Sequence, residues 1–155
     1  MTNGEWMKRP VHVVKPLDSI LHARELMERH RVNQLPVLVD GKLVGIVTDR
    51  DLRDALPSVF EDAQYARRRS RRTNVDPANV HVEDVMTPNV ITLAPDDTVD
   101  QAARVMRRQR IGSVPIVDDG RLVGIVTRSD VLDAYAELYT RRTPGRLGSV
   151  GTAID

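Results

Sequence analysis

The amino-acid sequence predicts an α/β protein built from one β-α-β-β-α unit written twice, and three observations carry that expectation. Met7 to Leu56 aligns with Met86 to Tyr135 without a gap at a constant offset of 79 residues, with the same residue at about 20 of about 50 positions. Each copy contains a turn dipeptide, Asp40-Gly41 or Asp119-Gly120, between two apolar runs, the pattern of a tight hairpin. Each also holds a stretch with apolar residues at helical spacing. A duplicated unit of this size is one supersecondary block that buries its apolar face against its own copy. Any site in one copy then has a twin in the other.

The elements follow in order. Val11 to Val14 and Val90 to Leu93 read as short lead-in strands, closed by Pro16 and Pro95, which cannot donate to a ladder. A helix comes next, with Ile20, Ala23, Leu26 and Met27 in the first copy and Val99, Ala102, Val105 and Met106 in the second. Asp97 is the expected N-cap of the second-copy helix, with Asp100 three residues on. Arg29-His30-Arg31 and Arg108-Gln109-Arg110 supply basic last turns that suit the negative end of the helix dipole. Two strands, Leu35 to Val39 and Leu43 to Val47, flank Asp40-Gly41, and a second helix starts after Thr48. Thr127 opens the corresponding helix of the second copy, with Val131, Ala134 and Leu138 on one face.

These readings divide the chain into a first repeat at 7–58, a linker at 59–83, a second repeat at 84–140 and a tail at 141–155. The linker carries Arg67-Arg68-Arg69-Ser70-Arg71-Arg72, and the tail is rich in Gly, Ser and Thr, a composition that favours mobility.

Composition bounds the function. The chain has 23 basic and 22 acidic residues for a net charge of +1, so no global field recruits nucleic acid or an anionic membrane. It has no cysteine, which excludes thiol nucleophiles, disulfides and thiolate metal sites and fits an intracellular protein. No run of apolar residues has the length of a membrane span or of a signal-peptide core. The expectation is a soluble, cytoplasmic protein.

The phrase Gly-Ile-Val-Thr-x-x-Asp appears twice, as Gly45 to Asp51 and Gly124 to Asp130, on a strand that runs into a helix start. Backbone amides there attract phosphate, and the threonine hydroxyl adds a donor. An aspartate one turn on can accept hydrogen bonds from both hydroxyls of a ribose, and glycine at the strand start lets a flat ring approach the backbone. A second reading stands beside this one. Thr-x-x-Asp is also nearly a capping box, with Thr48 or Thr127 as N-cap and Asp51 or Asp130 returning to its amide. Repetition does not separate them, because a repeated fold repeats its caps.

The whole repeat says more than the motif. Met-x-x-x-Val, the Leu/Val-Pro-Val/Ile segment before Asp-Gly, and the closing Val-Gly-Ile-Val-Thr-x-x-Asp-Val/Leu together resemble the CBS domain, the regulatory module named after cystathionine β-synthase. The resemblance covers both copies and makes the chain similar to tandem CBS (Bateman) modules. Among these it resembles the short bacterial CBS-pair proteins of the acetoin-utilisation type. It implies two repeats packed sheet to sheet about a pseudo-two-fold axis, with two clefts for adenosyl ligands. By the family pattern Thr48 and Asp51 would work with Ile91, Ile111 and Gly112, and Thr127 and Asp130 with His12, Val32 and Asn33; Ile46 and Ile125 would line the base pockets. The chief asymmetry is His12 where the other copy has Ile91.

What the resemblance implies is a non-enzymatic sensor with no required cofactor. An adenine nucleotide (AMP, ADP or ATP) or S-adenosylmethionine would be its effector, and a homodimer would transmit occupancy to a regulated partner. A ligand-independent dimerisation scaffold, or nucleic-acid binding through Arg67 to Arg72, are the competing expectations. Aromatic residues make up only 3% of the chain, which leaves little stacking surface for single strands. His12, His22, His30 and His81 fall at no metal-ligand spacing, and no nucleophile-base set or P-loop is present.

Overall fold

The computed structural model describes residues 1–55 and 76–142; the Arg67–Arg72 cluster and the tail beyond Arg142 lie outside the described residues. In chain order the elements are α1 (Asn3–Trp6), α2 (Ile20–His30), β1 (Gln34–Val39), β2 (Lys42–Thr48), α3 (Asp49–Ala55), a 3-10 turn (Pro77–Asn79), α4 (Val82–Val85), α5 (Val99–Gln109), β3 (Ser113–Asp118), β4 (Arg121–Thr127) and α6 (Arg128–Arg142). The chain is mixed α/β, and each repeat holds a two-stranded antiparallel sheet with helices packed on it.

The hairpins form where expected. Asp40 (φ 52°) and Gly41 (φ 80°) connect Val39 to Lys42, and Asp119 (φ 47°) and Gly120 (φ 76°) do the same in the second copy. Positive φ at both central residues gives the twist that keeps flanking strands paired. Each hairpin shifts register at the same place: Val37 faces Gly45 while Leu38 faces Leu43, and Ile116 faces Gly124 while Val117 faces Leu122.

Two local expectations change. The lead-in stretches contribute one parallel bridge each, Val14 to Val37 and Leu93 to Ile116, instead of full strands. Val14 donates to the Pro36 carbonyl and accepts from Leu38; the proline two residues on, Pro16 or Pro95, has no N–H to continue a ladder. The cap of α5 is Thr98, not Asp97. Thr98 Oγ1 accepts from the Gln101 amide and Gln101 returns to the Thr98 amide at 2.7 Å, a complete capping box. Asp97 and its twin Asp18 instead accept from the Ala94 and Lys15 amides, pinning the turn before each helix. Ser19 caps α2.

The arrangement of the copies follows from an exchange of short segments. The start of the chain pairs with the second repeat: Asn3 donates to Asp97 O, Gly4 to Pro95 O, and Lys8 exchanges both backbone hydrogen bonds with Ile125. The twin segment pairs with the first repeat, where Val82 donates to Asp18 O, Glu83 to Pro16 O, and Thr87 exchanges bonds with Ile46. Thr2 bridges Thr98 as its twin position, His81, bridges Ser19. Contacts that recur with the partners interchanged are the mark of a two-fold axis, here an approximate one within a single chain. Gln34 and Ser113, themselves 79 apart, meet side chain to side chain, Ser113 Oγ donating to Gln34 Oε1. β2 and β4 approach each other across the same junction.

The cores share this exchange. Val14, Ile20, Leu35, Val37, Val47 and Leu52 form one buried cluster, and Val82, from the segment that leads into the second repeat, belongs to it, with Val80, Val85 and Met86 packed against it. Ala102, Met106, Val114, Ile116 and Val126 form the other, with Met7 packed against it. The glycine of each repeated strand is the socket. A Cβ on Gly124 would fall inside the Met7 side chain, and one on Gly45 would lie 3.1 Å from both Met86 Cγ and Thr87 O.

Gly124→Ala should therefore destabilise the fold by about 1–3 kcal/mol, because the new Cβ would overlap Met7 Sδ and Cγ as well as its Cβ. Met7→Ala should recover part of that loss in the double variant even though it is itself destabilising. Chemical denaturation of the two single variants and the double variant measures the coupling; additive losses would show that the glycine does not serve this contact.

Candidate functional site

β2 ends at Thr48, and α3 starts at the next residue, so the strand delivers the threonine hydroxyl directly to a helix start. The capping reading of the repeated motif is realised in both copies. Asp51 Oδ2 accepts from the Thr48 amide at 2.9 Å and the Asp51 amide donates to Thr48 Oγ1 at 3.1 Å. Asp130 Oδ2 accepts from the Thr127 amide at 2.7 Å and from Thr127 Oγ1 at 2.8 Å.

The cap uses only one carboxylate oxygen, and a carboxylate accepts on both. Among the described residues Asp51 Oδ1 makes no hydrogen bond or ion pair. Asp130 Oδ1 lies 3.5 Å from Lys8 Nζ, with the aspartate side chain 6% exposed and the lysine 61% exposed.

A cavity of about 900 Å³ runs between the copies. Ile46, Thr48 and Asp51 line it from the first repeat's motif, and Ile125 and Thr127 from the second's. His12, Val32 and Asn33 reach it, as do Ile91, Ile111 and Gly112. Of the ligand-binding residues read from the sequence, Asp130 alone is not part of its lining; its carboxylate sits behind Thr127 under the Lys8 ammonium.

The hydrogen bonds made by the residue after each motif threonine run within its own copy. Asp49 donates its amide to Asn33 O at 2.9 Å and Arg128 donates its own to Gly112 O at 3.2 Å. The cross-copy combinations that the family pattern suggested are brought together only by the shared cavity.

Sequence reasoning missed several lining residues. Lys8 and Thr87 border the cavity because the exchanged segments place them beside Ile125 and Ile46. Gln34 and Ser113 sit where the copies meet, and Arg31, Arg50, Arg110 and Arg128 add cationic groups. The repeated Arg31 and Arg110 were visible as a pair, and each closes its helix in the left-handed region at φ 53° and 55°. Gln34 and Ser113 gave no signal, since their side chains differ.

The asymmetric His12 stacks on His30, with ring centroids 3.6 Å apart and planes at 11°. His30 is held below the ordinary imidazole range, first by desolvation, then by the charges of His12 and Arg29. Glycine at the strand start has another duty than the one expected: Gly45 and Gly124 receive methionines, not a ring.

No described helix is long and apolar enough to cross a membrane. Among the described residues no three histidines, cysteines or carboxylates cluster as a metal site.

Comparison with known proteins agrees with this architecture. The family model for the CBS domain matches residues 4–58 and 82–137. The chain is 38% identical over 150 residues to an inosine-5'-monophosphate dehydrogenase of Korarchaeum cryptofilum, covering 94% of this chain but only 27% of that enzyme. The chain thus spans about a quarter of the length of that relative. Among solved structures, CBSX2 in complex with AMP, a protein of Arabidopsis thaliana, superposes with a TM-score of 0.70 at 33% identity, covering 89% of this chain and 98% of the other. The CBS domain pair of protein MJ0100, in complex with 5'-methylthioadenosine and S-adenosyl-L-methionine, gives a TM-score of 0.70 at 30% identity with the same coverage. A putative acetoin utilization protein from Vibrio cholerae gives 0.72 at 26% identity, covering 92% of this chain and 96% of the other. Two matched repeats that exchange the segments 2–8 and 81–87 around one cavity agree with that family match, and the chain belongs to the CBS-domain family as a tandem pair.

Proposed function

We propose that the protein is a regulatory module that binds adenosyl ligands, adenine nucleotides or S-adenosylmethionine, in the cavity between its repeats and signals occupancy to a partner. The observation that carries this reading is the cavity itself. It joins two strand-to-helix starts, each with a threonine hydroxyl, to apolar walls from Ile46, Ile125, Val32 and Ile111. A flat base suits such walls, and a ribose suits the unshared oxygen of Asp51. Solved relatives with AMP or with S-adenosylmethionine and 5'-methylthioadenosine support the ligand class. The module acts without catalysis, in the cytoplasm, and needs no cofactor beyond the effector. Occupancy alters a partner only by favouring one arrangement of the repeats, with couplings of about 1–3 kcal/mol typical.

The homodimer belongs to the same proposal. Leu132, Tyr135 and Tyr139 lie at helical spacing on α6 and are 67%, 67% and 58% exposed, a continuous apolar stripe on the helix that closes the second repeat. Burying it against a second copy would remove that surface from water. Sedimentation at tens of micromolar should give a dimer, and Tyr135→Glu should shift it toward monomer; a wild-type monomer with and without ligand defeats this part.

The competing scaffold reading draws on the capping geometry, since the motif would be present for the fold alone. Asp51→Ala separates the two. Loss of the cap costs about 0.5–2 kcal/mol, while loss of a ribose contact also removes a binding event. Calorimetry with AMP should show one event fewer in Asp51→Ala, and thermal unfolding of the wild type should rise with adenosyl compounds, by about 2.7 kcal/mol at a hundred times the dissociation constant. A variant that is less stable yet binds with unchanged affinity and stoichiometry would favour the scaffold.

A further inference from the structure

The two ends of the cavity are twins by sequence position but not by charge. Lys8 and Thr87 occupy equivalent places, each exchanging backbone hydrogen bonds with the strand residue two before the motif threonine, Ile125 or Ile46. The Lys8 ammonium lies 3.5 Å from Asp130, whereas Thr87 brings no charge to Asp51. The residue after the motif threonine differs likewise: Arg128 follows Thr127 and Asp49 follows Thr48, and all of these but Asp130 line the cavity.

The pairing differs too. Asp49 is held at 2.7 Å by Arg53, but the position corresponding to Arg53 is Leu132, so Arg128 meets no acid one turn on and donates to the Ile111 carbonyl at 3.3 Å. Arg50, beside Thr48, runs against this trend and stands 3.9 Å from Asp54.

On the reading of an adenosyl-binding cavity, we propose that Lys8, assisted by Arg128, is the specificity-determining residue that makes the Thr127 end select phosphorylated adenosyl ligands, while the Thr48 end binds the adenosyl moiety with little regard to phosphate. Lys8 is 61% exposed and Asp130 6%, so the ammonium is free to turn to a ligand phosphate when ribose hydroxyls replace it on the buried carboxylate. That movement also uncovers Asp130 Oδ1, the oxygen a ribose would use. Phosphate and ribose recognition are thereby coupled at one end, since the anion draws away the cation that covers the aspartate. At the Thr48 end Asp51 is already open.

Calorimetry on the full chain with AMP and with adenosine tests this, using wild type, Lys8→Thr and the reciprocal Thr87→Lys. The wild type should show one tight and one weaker AMP event. Lys8→Thr should weaken the tight AMP event about tenfold and leave adenosine no weaker, and the AMP advantage should shrink as salt screens it. Thr87→Lys should tighten the weaker AMP event, a gain that no loss of folding can mimic. If Lys8→Thr changes AMP and adenosine alike, or changes neither, the inference fails while adenosyl binding stands. A wild type that binds neither compound nor S-adenosylmethionine overturns the functional reading instead.

Discussion

The structure depends on a reciprocal exchange: each repeat is completed by the segment that precedes the other. Met7 fills the space over Gly124 and Met86 that over Gly45, while Lys8 and Thr87 hydrogen-bond the strands beside those glycines. A two-stranded sheet is marginal alone, and the lead-in stretches add only one bridged residue to each hairpin. The exchanged segments supply the missing partners for the far strand of each sheet. They also lock the copies to one another, because neither can leave without unpairing the other.

That locking creates the cavity. With the copies held about an approximate two-fold axis, Gln34 and Ser113 meet at their junction and the two strand-to-helix starts open onto one space. Both motif aspartates close a helix cap, and Asp51 also lines the cavity. One oxygen closes the helix cap, which fixes the carboxylate, and a fixed carboxylate is a better acceptor for a ligand than a mobile one. The other oxygen is where the copies part, open at Asp51 and beneath Lys8 at Asp130.

Such divergence is the ordinary freedom of a duplicated unit. The residues that hold the fold remain paired: Met7 with Met86, Gly45 with Gly124, Thr48 with Thr127. Other cavity-lining positions differ, His12 against Ile91 and Asn33 against Gly112. At Asn33 and Gly112 the shared feature is the backbone carbonyl, which accepts from the residue after the motif threonine in each copy.

The sequence by itself determined the repeat and the hairpins and, through the family resemblance, named eleven of the 26 described residues that line the cavity. Asp-Gly at two matched positions dictates positive φ locally, and the helical spacing of Ile20, Ala23 and Met27 or Val99, Ala102 and Met106 is a local pattern that burial respected. The cap of α5 was misplaced by one residue, since Asp97 and Thr98 are both competent caps and only the chain's path selects Thr98. The tertiary structure alone decided which copy each exchanged segment, 2–8 or 81–87, joins. Residues 3–6 and 82–85 match at no position, so the repeat seemed to start at Met7, and no periodicity could report that Val82 enters the first core and Lys8 reaches Asp130. Local propensity fixes an element's type, but the partner that buries it is chosen by packing over long separations, which leaves no mark in a linear pattern.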